Sequence, residues 1–411
     1  MKKPSLSLMA LISIISLVAS TSGQILNPIV AVYARDTLNA SIAQIGLIVS
    51  AFFLVSIVSK PLIGLSCRGI KTLYFLWIAL ALMAFPTIGM ALTDSPAVFG
   101  GLRIFQGIGN SMFWAPGMTL IALISSRGRL ERDLSNYSFL ISVGMSLGPA
   151  IGSMSVAAFG ARYSFFLSAL IMLSGFILGT LLIRKRQYFK EKICSSDSGT
   201  ISLRQLPRIF SAKPFKTAFL SYATMSFIYG ILTAYGTLYF KDSFSVQDGT
   251  VAILFFGYNA VIMVSRFGLR KLVNMTSKRN ILLFGLMNYI VMLSILATSN
   301  NILIFAAAFC LLGLSHGLIY PTGILMVAGS VQTASLAFAN SIFLTGWDVG
   351  NSLGPIVASP IATQFGTGAA LPVAIIAPIV SLLITGFYLR ERPESRIDKK
   401  VETKEKHSSA A

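Results

Sequence analysis

Acidic side chains are scarce in this sequence. Fourteen Asp and Glu stand against 33 Lys and Arg in 411 residues, and charged residues of either sign make up only 11%. A soluble domain carries roughly 25%, so an ordinary solvated surface is excluded. Histidine occurs twice and cysteine three times, as Cys67, Cys194 and Cys310. The cysteines have neither the spacing of a metal site nor the pattern of a disulfide framework. No Walker-type phosphate loop is present, nor any catalytic dyad or metal cluster. The chain therefore calls for no cofactor and no metal, and one interior acid with one intramembrane histidine is too little for an enzyme. Without a nucleotide site, the energy source to expect is an ion gradient.

What the chain has in excess is apolar length. Hydrophobic residues make up 55% and the mean hydropathy is +0.76. A helix needs about 20 mostly apolar residues to cross a hydrocarbon core of about 30 Å. Twelve stretches qualify: 5–33, 42–66, 72–92, 97–125, 135–158, 161–183, 215–240, 248–270, 280–298, 302–329, 334–364 and 368–389. The fold class is all-α integral membrane, with the lipid bilayer as solvent. The first stretch is too long for a signal-peptide core and lacks a small-residue cleavage pattern, so it is expected to be retained.

The twelve spans are two copies of six. Shifted by 206 positions, Tyr33-Ala34-Arg35-Asp36 falls on Tyr239-Phe240-Lys241-Asp242, and Val58-Ser59-Lys60 on Val264-Ser265-Arg266. Gly107 and Gly117 fall on Gly313 and Gly323. Gly144, Gly148 and Pro149 fall on Gly350, Gly354 and Pro355, and Phe159-Gly160 on Phe365-Gly366. An even number of spans per copy gives both copies one orientation, a parallel repeat of the kind found in secondary transporters. The domains follow: a six-helix bundle over 1–183, a polar linker over 184–213, a second bundle over 214–389, and a charged tail over 390–411 expected to be disordered.

The net charge of +19 resembles a nucleic-acid signature until it is mapped. Only Arg35, Arg162 and Lys241 fall in the odd-numbered loops, while the N-terminus, the even-numbered loops, the linker and the tail hold most of the rest. The linker alone carries Arg184, Lys185, Arg186, Lys190, Lys192, Arg204, Arg208 and Lys213, with room for a short basic amphipathic helix on the membrane surface. This asymmetry places both termini and the linker in the cytoplasm. A nucleic-acid or anionic-lipid platform would need a clustered basic face with stacking aromatics. No nucleic-acid partner is expected.

The fourth span contains Arg103-Ile104-Phe105-Gln106-Gly107-Ile108-Gly109. The fifth contains Gly144-Met145-Ser146-Leu147-Gly148-Pro149-Ala150-Ile151-Gly152. With two six-helix halves and a long basic central loop, these runs resemble the major facilitator superfamily, over about residues 5–389. The fifth-span run resembles the motif of its drug:proton antiporter branches. The resemblance implies two bundles that rock about a central site, with Arg103 in proton coupling or gating. One motif departs. In relatives the loop after the second span has a Gly, an Asp and an Arg-rich end. Here Gly64, Arg68, Gly69 and Lys71 match only approximately, and Cys67 stands near the place of the acid.

The motifs also have a direct physical reading. Gly144, Gly148 and Gly152 form one small-residue stripe that lets backbones meet closely, and Pro149 removes a donor and bends the helix. Gly350, Gly354 and Pro355 repeat it in the eleventh span, as either plain packing or a bendable gate. Polar residues that break the repeat are better candidates for chemistry: Arg103 pairs with Phe309, Gln106 with Leu312, and Asp348 with Ser142. An ionisable group at the centre of a span costs about 2.5–3.5 kcal/mol on insertion scales, and such groups face the bundle interior. Arg103, Gln106, Asn110 and Trp114 share one face of the fourth span, and Ser341, Thr345, Asp348 and Ser352 one face of the eleventh. Asp348 is either a structural acid or a proton carrier. Gln24, Asn27, Tyr229, Tyr235, Asn259, His316 and Tyr320 complete the candidate cavity lining, and Asn27-Pro28 is expected to break the first helix.

The reading that results is a monomeric, multi-pass secondary transporter of the cell membrane. It exports small amphipathic or neutral compounds in exchange for protons. Neutral ligands are favoured because an anion would need more than one cavity arginine. Uptake of a sugar, small acid or other metabolite is the alternative within the class, and a transport-inactive receptor or regulator is the alternative outside it.

Overall fold

Where the first copy has Pro28, the chain breaks; where the second copy has Ala234 at the same repeat position, it only widens. The first span is divided into α1 (Pro4–Leu26) and α2 (Val30–Asp36) by a turn at 27–29. Its counterpart runs from α9 (Lys213–Ile231) through a π-helical turn (Leu232–Gly236) into α10 (Thr237–Phe244). Proline lacks the amide that the helix needs, whereas a π turn keeps the ladder while inserting one residue. The computed structural model describes residues 4–66, 70–125, 130–193, 210–330 and 333–388. Cys67, Arg68, Gly69, Cys194 and the tail lie outside them.

The remaining spans of the first copy are α3 (Ile42–Ser66), α4 (Lys71–Leu92), α5 (Pro96–Ile124), α6 (Leu130–Phe159) and α7 (Ala161–Arg184). In the linker, α8 (Arg186–Ile193) is the short helix expected there, with Phe189 buried in the core of the first bundle. The second copy continues with α11 (Asp248–Met275), α12 (Lys278–Thr298), α13 (Ile302–Ala328), α14 (Thr333–Phe365) and α15 (Ala370–Tyr388). Among the described residues there is no strand. Eleven stretches among the described residues are long and apolar enough to cross a membrane, and the 33-residue α14 is the twelfth long helix of the repeat. Large apolar side chains such as Met154, Leu303 and Phe387 stand exposed on the outside, as lipid-facing surfaces require.

Helix ends follow local chemistry. Ser41 and Gln44 form a reciprocal capping box at the start of α3. Pro96 opens α5 behind the Ser95 cap, and the Asn301 side chain accepts from Leu303 and Ile304 to cap α13. Gly160 and Gly366, one repeat apart, both take φ near 90° (87° and 90°), which links α6 to α7 and α14 to α15 without a Cβ in the way.

Packing repeats the sequence symmetry. In the first bundle α1 packs on α6 and α7, α4 on α5 and α7, and α3 on α5; in the second α9 packs on α14 and α15, α12 on α13 and α15, and α11 on α13. The glycine stripes make these contacts close. A Cβ on Gly148 would stand 2.8 Å from the Thr21 carbonyl oxygen, and one on Gly152 2.9 Å from that of Ile25. Gly144 meets Ser20 and Leu17, while Gly350 meets Ser226 and Ala223, the same positions one repeat on. Both stripes therefore pack inside their own bundles. Pro149 and Pro355 lie within unbroken helices.

Two contacts join the bundles along their length, α3 with α14 and α6 with α11. They too exchange under the repeat. The spans that end at the linker mark one end of the molecule, and the opposite end is called distal. At the distal end one apolar core crosses the seam, joining Tyr33, Ile45, Phe99 and Phe165 to Tyr235, Phe240 and Phe305. Toward the linker, the first bundle keeps a separate core around Leu8, Leu120, Tyr137 and Phe189. The distal rim is also clamped by charge. Arg35 donates to Asp242 at 2.6 Å and to Asp36 at 2.7 Å, and Lys241 pairs with Asp36 and Asp248. Each such pair is worth little alone in water, but here five side chains form one network.

Candidate functional site

A carboxylate midway along a spanning helix needs a partner, and Asp348 of α14 finds it in the other bundle. Its side chain is wholly buried (0% exposed) and forms an ion pair with Lys60 of α3. The second carboxylate oxygen, Oδ1, makes no hydrogen bond. Nearby, Ser50 Oγ donates to the Ser352 carbonyl at 2.8 Å, a second tie between the same two helices. Lys60 was visible in the sequence only as a repeat match. The signal that could have singled it out is the one that found Asp348, an ionisable group inside a span.

Across the pseudo-twofold axis the equivalent base meets a neutral acceptor. Lys60 corresponds to Arg266 of α11 and Asp348 to Ser142 of α6, and Arg266 Nη1 donates to Ser142 Oγ at 2.9 Å. The guanidinium carbon stands 5.8 Å from the centre of the Tyr320 ring. One seam contact is thus an ion pair and the other a hydrogen bond to a hydroxyl.

Between the two contacts the second bundle presents aromatic rings. Tyr229 and Trp347 stand 5.3 Å apart, His316 and Trp347 5.4 Å, and Tyr222 and Tyr320 5.3 Å. The Tyr258 hydroxyl lies 2.7 Å from His316 Nδ1. The structure places Tyr229, His316 and Tyr320 in one ring cluster with Tyr222, Tyr258, Phe343 and Trp347. The first bundle answers with polar groups at the matching positions. Asn110 corresponds to His316 and Trp114 to Tyr320, and Trp114 Nε1 donates to Asn110 Oδ1 at 2.8 Å. Asn27 Nδ2 donates to Gln24 Oε1 at 3.0 Å, and Asn27 faces the Tyr229 hydroxyl across the seam.

Other predicted residues are turned elsewhere. Arg103 is buried inside the first bundle, donating to Gln106 Oε1 at 3.1 Å and stacked 4.6 Å from the Phe52 ring centre. Gln106 in turn donates to Thr87 Oγ1 at 2.6 Å. Arg103 and Asp348 therefore have separate partners, and Gln106 serves the α4–α5 contact rather than a cavity. Tyr235 donates to the Pro355 carbonyl at 3.1 Å and abuts Gly46, so it locks a helix contact near the distal end. The Asn259 amide bonds the Phe255 carbonyl of its own helix at 2.7 Å.

A site shared by two halves, with an ion pair on one side and a hydrogen bond on the other, is one that rocking of the halves can turn to either face of a membrane. Chemistry of that kind belongs to a carrier, not an enzyme. The chain belongs to the Major Facilitator Superfamily, whose sequence profile matches residues 12–302 and 277–411. It is 26% identical over 360 residues to the quinolone resistance protein NorA of Staphylococcus aureus (strain COL), covering 86% of this chain and 87% of that protein. It is 26% identical over 358 residues to the multidrug resistance protein MdtG of Dickeya zeae (strain Ech586), covering 84% and 85%. Among solved structures, a mutant of the nucleoside transporter NupG superposes with a TM-score of 0.77 at 12% identity, over 93% of this chain and all (100%) of that one. The chain is a multi-pass membrane transporter.

Proposed function

We propose that this protein exports small amphipathic or neutral compounds in exchange for protons, by alternating access of its two bundles. The observation that carries the reading is the Lys60–Asp348 pair, with its carboxylate wholly buried, which joins the bundles beside a cluster of aromatic rings. A proton delivered to Asp348 removes the charge that holds Lys60 and frees the α3–α14 contact. Loss of that proton restores the tie. The rings offer apolar area and π faces to a lipophilic ligand, with Asn27, Asn110 and His316 as polar points that orient it. Two relatives carry names of drug resistance, in line with export of such compounds.

The test is accumulation of a panel of lipophilic dyes and drugs in inside-out membrane vesicles, with and without an imposed pH gradient. Uptake into the vesicles that collapses with the gradient supports the reading, and uptake indifferent to the gradient overturns the proton coupling. Orientation is checked separately. Tags at residue 2, within 184–213 and after residue 390 should all be cytoplasmic, from the Lys and Arg asymmetry of the loops. Labelling of any of them from outside intact cells refutes that topology and with it the assignment of export.

A further inference from the structure

We propose that Arg266 binds the carboxylate of a transported aromatic acid, whose ring is held by Tyr222, Tyr320, Phe343 and Trp347. The proposal rests on the export reading for how a ligand reaches the seam, and narrows the amphipathic compounds of that reading to weak acids.

The repeat exposes the vacancy. Among the described residues away from the distal rim, each copy contributes one base to the seam, Lys60 from α3 and Arg266 from α11, and each faces the same position of the opposite bundle. Opposite Lys60 that position is Asp348; opposite Arg266 it is Ser142, which carries no charge. Among the described residues Arg266 has no carboxylate partner. Its Nη1 is engaged by the Ser142 hydroxyl, and its buried Nε makes no hydrogen bond. A guanidinium has five donors in a planar fork matched to a carboxylate, and a buried cation without a counter-charge is costly. A ligand carboxylate supplies that counter-charge and gives the second seam contact the same chemistry as the first.

The surroundings favour an aromatic body on that carboxylate. Tyr320 lies under the guanidinium, Tyr222 and Phe343 stack at 4.6 Å between ring centres, and Trp347 is 5.9 Å from Tyr222. Charge also selects. Lys60 already neutralises Asp348, so the unbalanced charge facing the ring cluster is that of Arg266, and a cationic ligand meets repulsion there. A neutral ligand is expected where Arg103 is the one interior arginine; the seam adds Arg266 and Lys60.

The experiment measures binding of radiolabelled naphthoate, its neutral carboxamide and the corresponding naphthylmethylammonium to the purified full-length protein in nanodiscs. The wild-type protein should favour the acid over the amide by roughly 10- to 100-fold, the worth of a buried charge-assisted contact. Arg266→Gln should bring that ratio to about one, while Arg266→Lys keeps its sign at reduced size. Ser142→Asp should abolish acid binding by filling the vacancy from within, and raise the melting temperature. A wild-type ratio near one, a preference for the ammonium, or an undiminished ratio in Arg266→Gln overturns the proposal. Vesicle transport separates the two readings. Gradient-driven uptake of neutral or cationic dyes with a wild-type ratio near one sinks the Arg266 site and leaves export standing. An acid preference without gradient-driven uptake of any compound sinks export and leaves the Arg266 site.

Discussion

Asp348→Asn should abolish accumulation driven by a pH gradient while binding of a lipophilic ligand remains measurable. The carboxylate is wholly buried and bonded to Lys60 of the opposite bundle, so its charge decides whether the α3–α14 contact holds. An amide keeps the shape and cannot take up a proton, which uncouples the seam from the gradient. Removing one partner of a buried pair also leaves the other charge stranded, at a cost of about 3–5 kcal/mol. Asp348→Asn and Lys60→Met should therefore each lower the melting temperature, and the double variant should recover a large part of the loss. A double-mutant cycle measures that coupling. Additive losses would show that the two side chains do not depend on each other. Concentrative transport by Asp348→Asn using protons alone would place the proton carrier elsewhere, with His316 and Asp36 next to be tested.

Gly148→Leu should abolish transport altogether, and Gly350→Leu should do the same from the other bundle. At Gly148 even a methyl group would stand 2.8 Å from the Thr21 carbonyl and 2.5 Å from the Gln24 Cβ, so a leucine must push α6 away from α1. Small residues are what allow helices to approach in a bilayer, where packing rather than hydrophobic exclusion drives association. Gly148→Ala should retain more activity than Gly148→Leu, since the displacement scales with side-chain size. Vesicle uptake normalised to the amount of folded protein checks both. Full activity in a well-folded Gly148→Leu variant would mean that the α1–α6 contact yields without consequence.

How far the sequence could be read depended on whether a feature was local or shared between copies. The break at Asn27-Pro28 was legible because proline has a fixed backbone effect, and the twelve spans because apolar length is a direct physical requirement. The π turn at Leu232–Gly236 left no such mark. Tyr229, His316 and Tyr320 were identified by residue type and do converge, whereas Tyr235 and Gln106, chosen on the same grounds, serve helix contacts. Side-chain type names a polar group in a span but not the direction in which its helix is rotated. The spacing of the glycine stripes points to close helix contacts, yet only the packed bundles assign those contacts to α1 and α9. Lys60 and Arg266 were in plain view as matched positions. Their meaning lay in residues nearly 300 and more than 120 positions away, Asp348 and Ser142, which only the folded arrangement brings near.

The distal clamp has a further consequence. Arg35 reaches Asp242 and Lys241 reaches Asp36, so each bridge takes its base from one copy and its acid from the other. Both bridges are built from the same two adjacent positions of one repeat unit. A single six-helix unit carrying that basic-acidic pair would therefore meet a second identical unit through an isologous, twofold-symmetric interface, closing the rim with the same two bridges. The linker between α7 and α9 is not needed to specify which faces meet. The chemistry that seals the distal rim of one long chain is complete in a homodimer of halves.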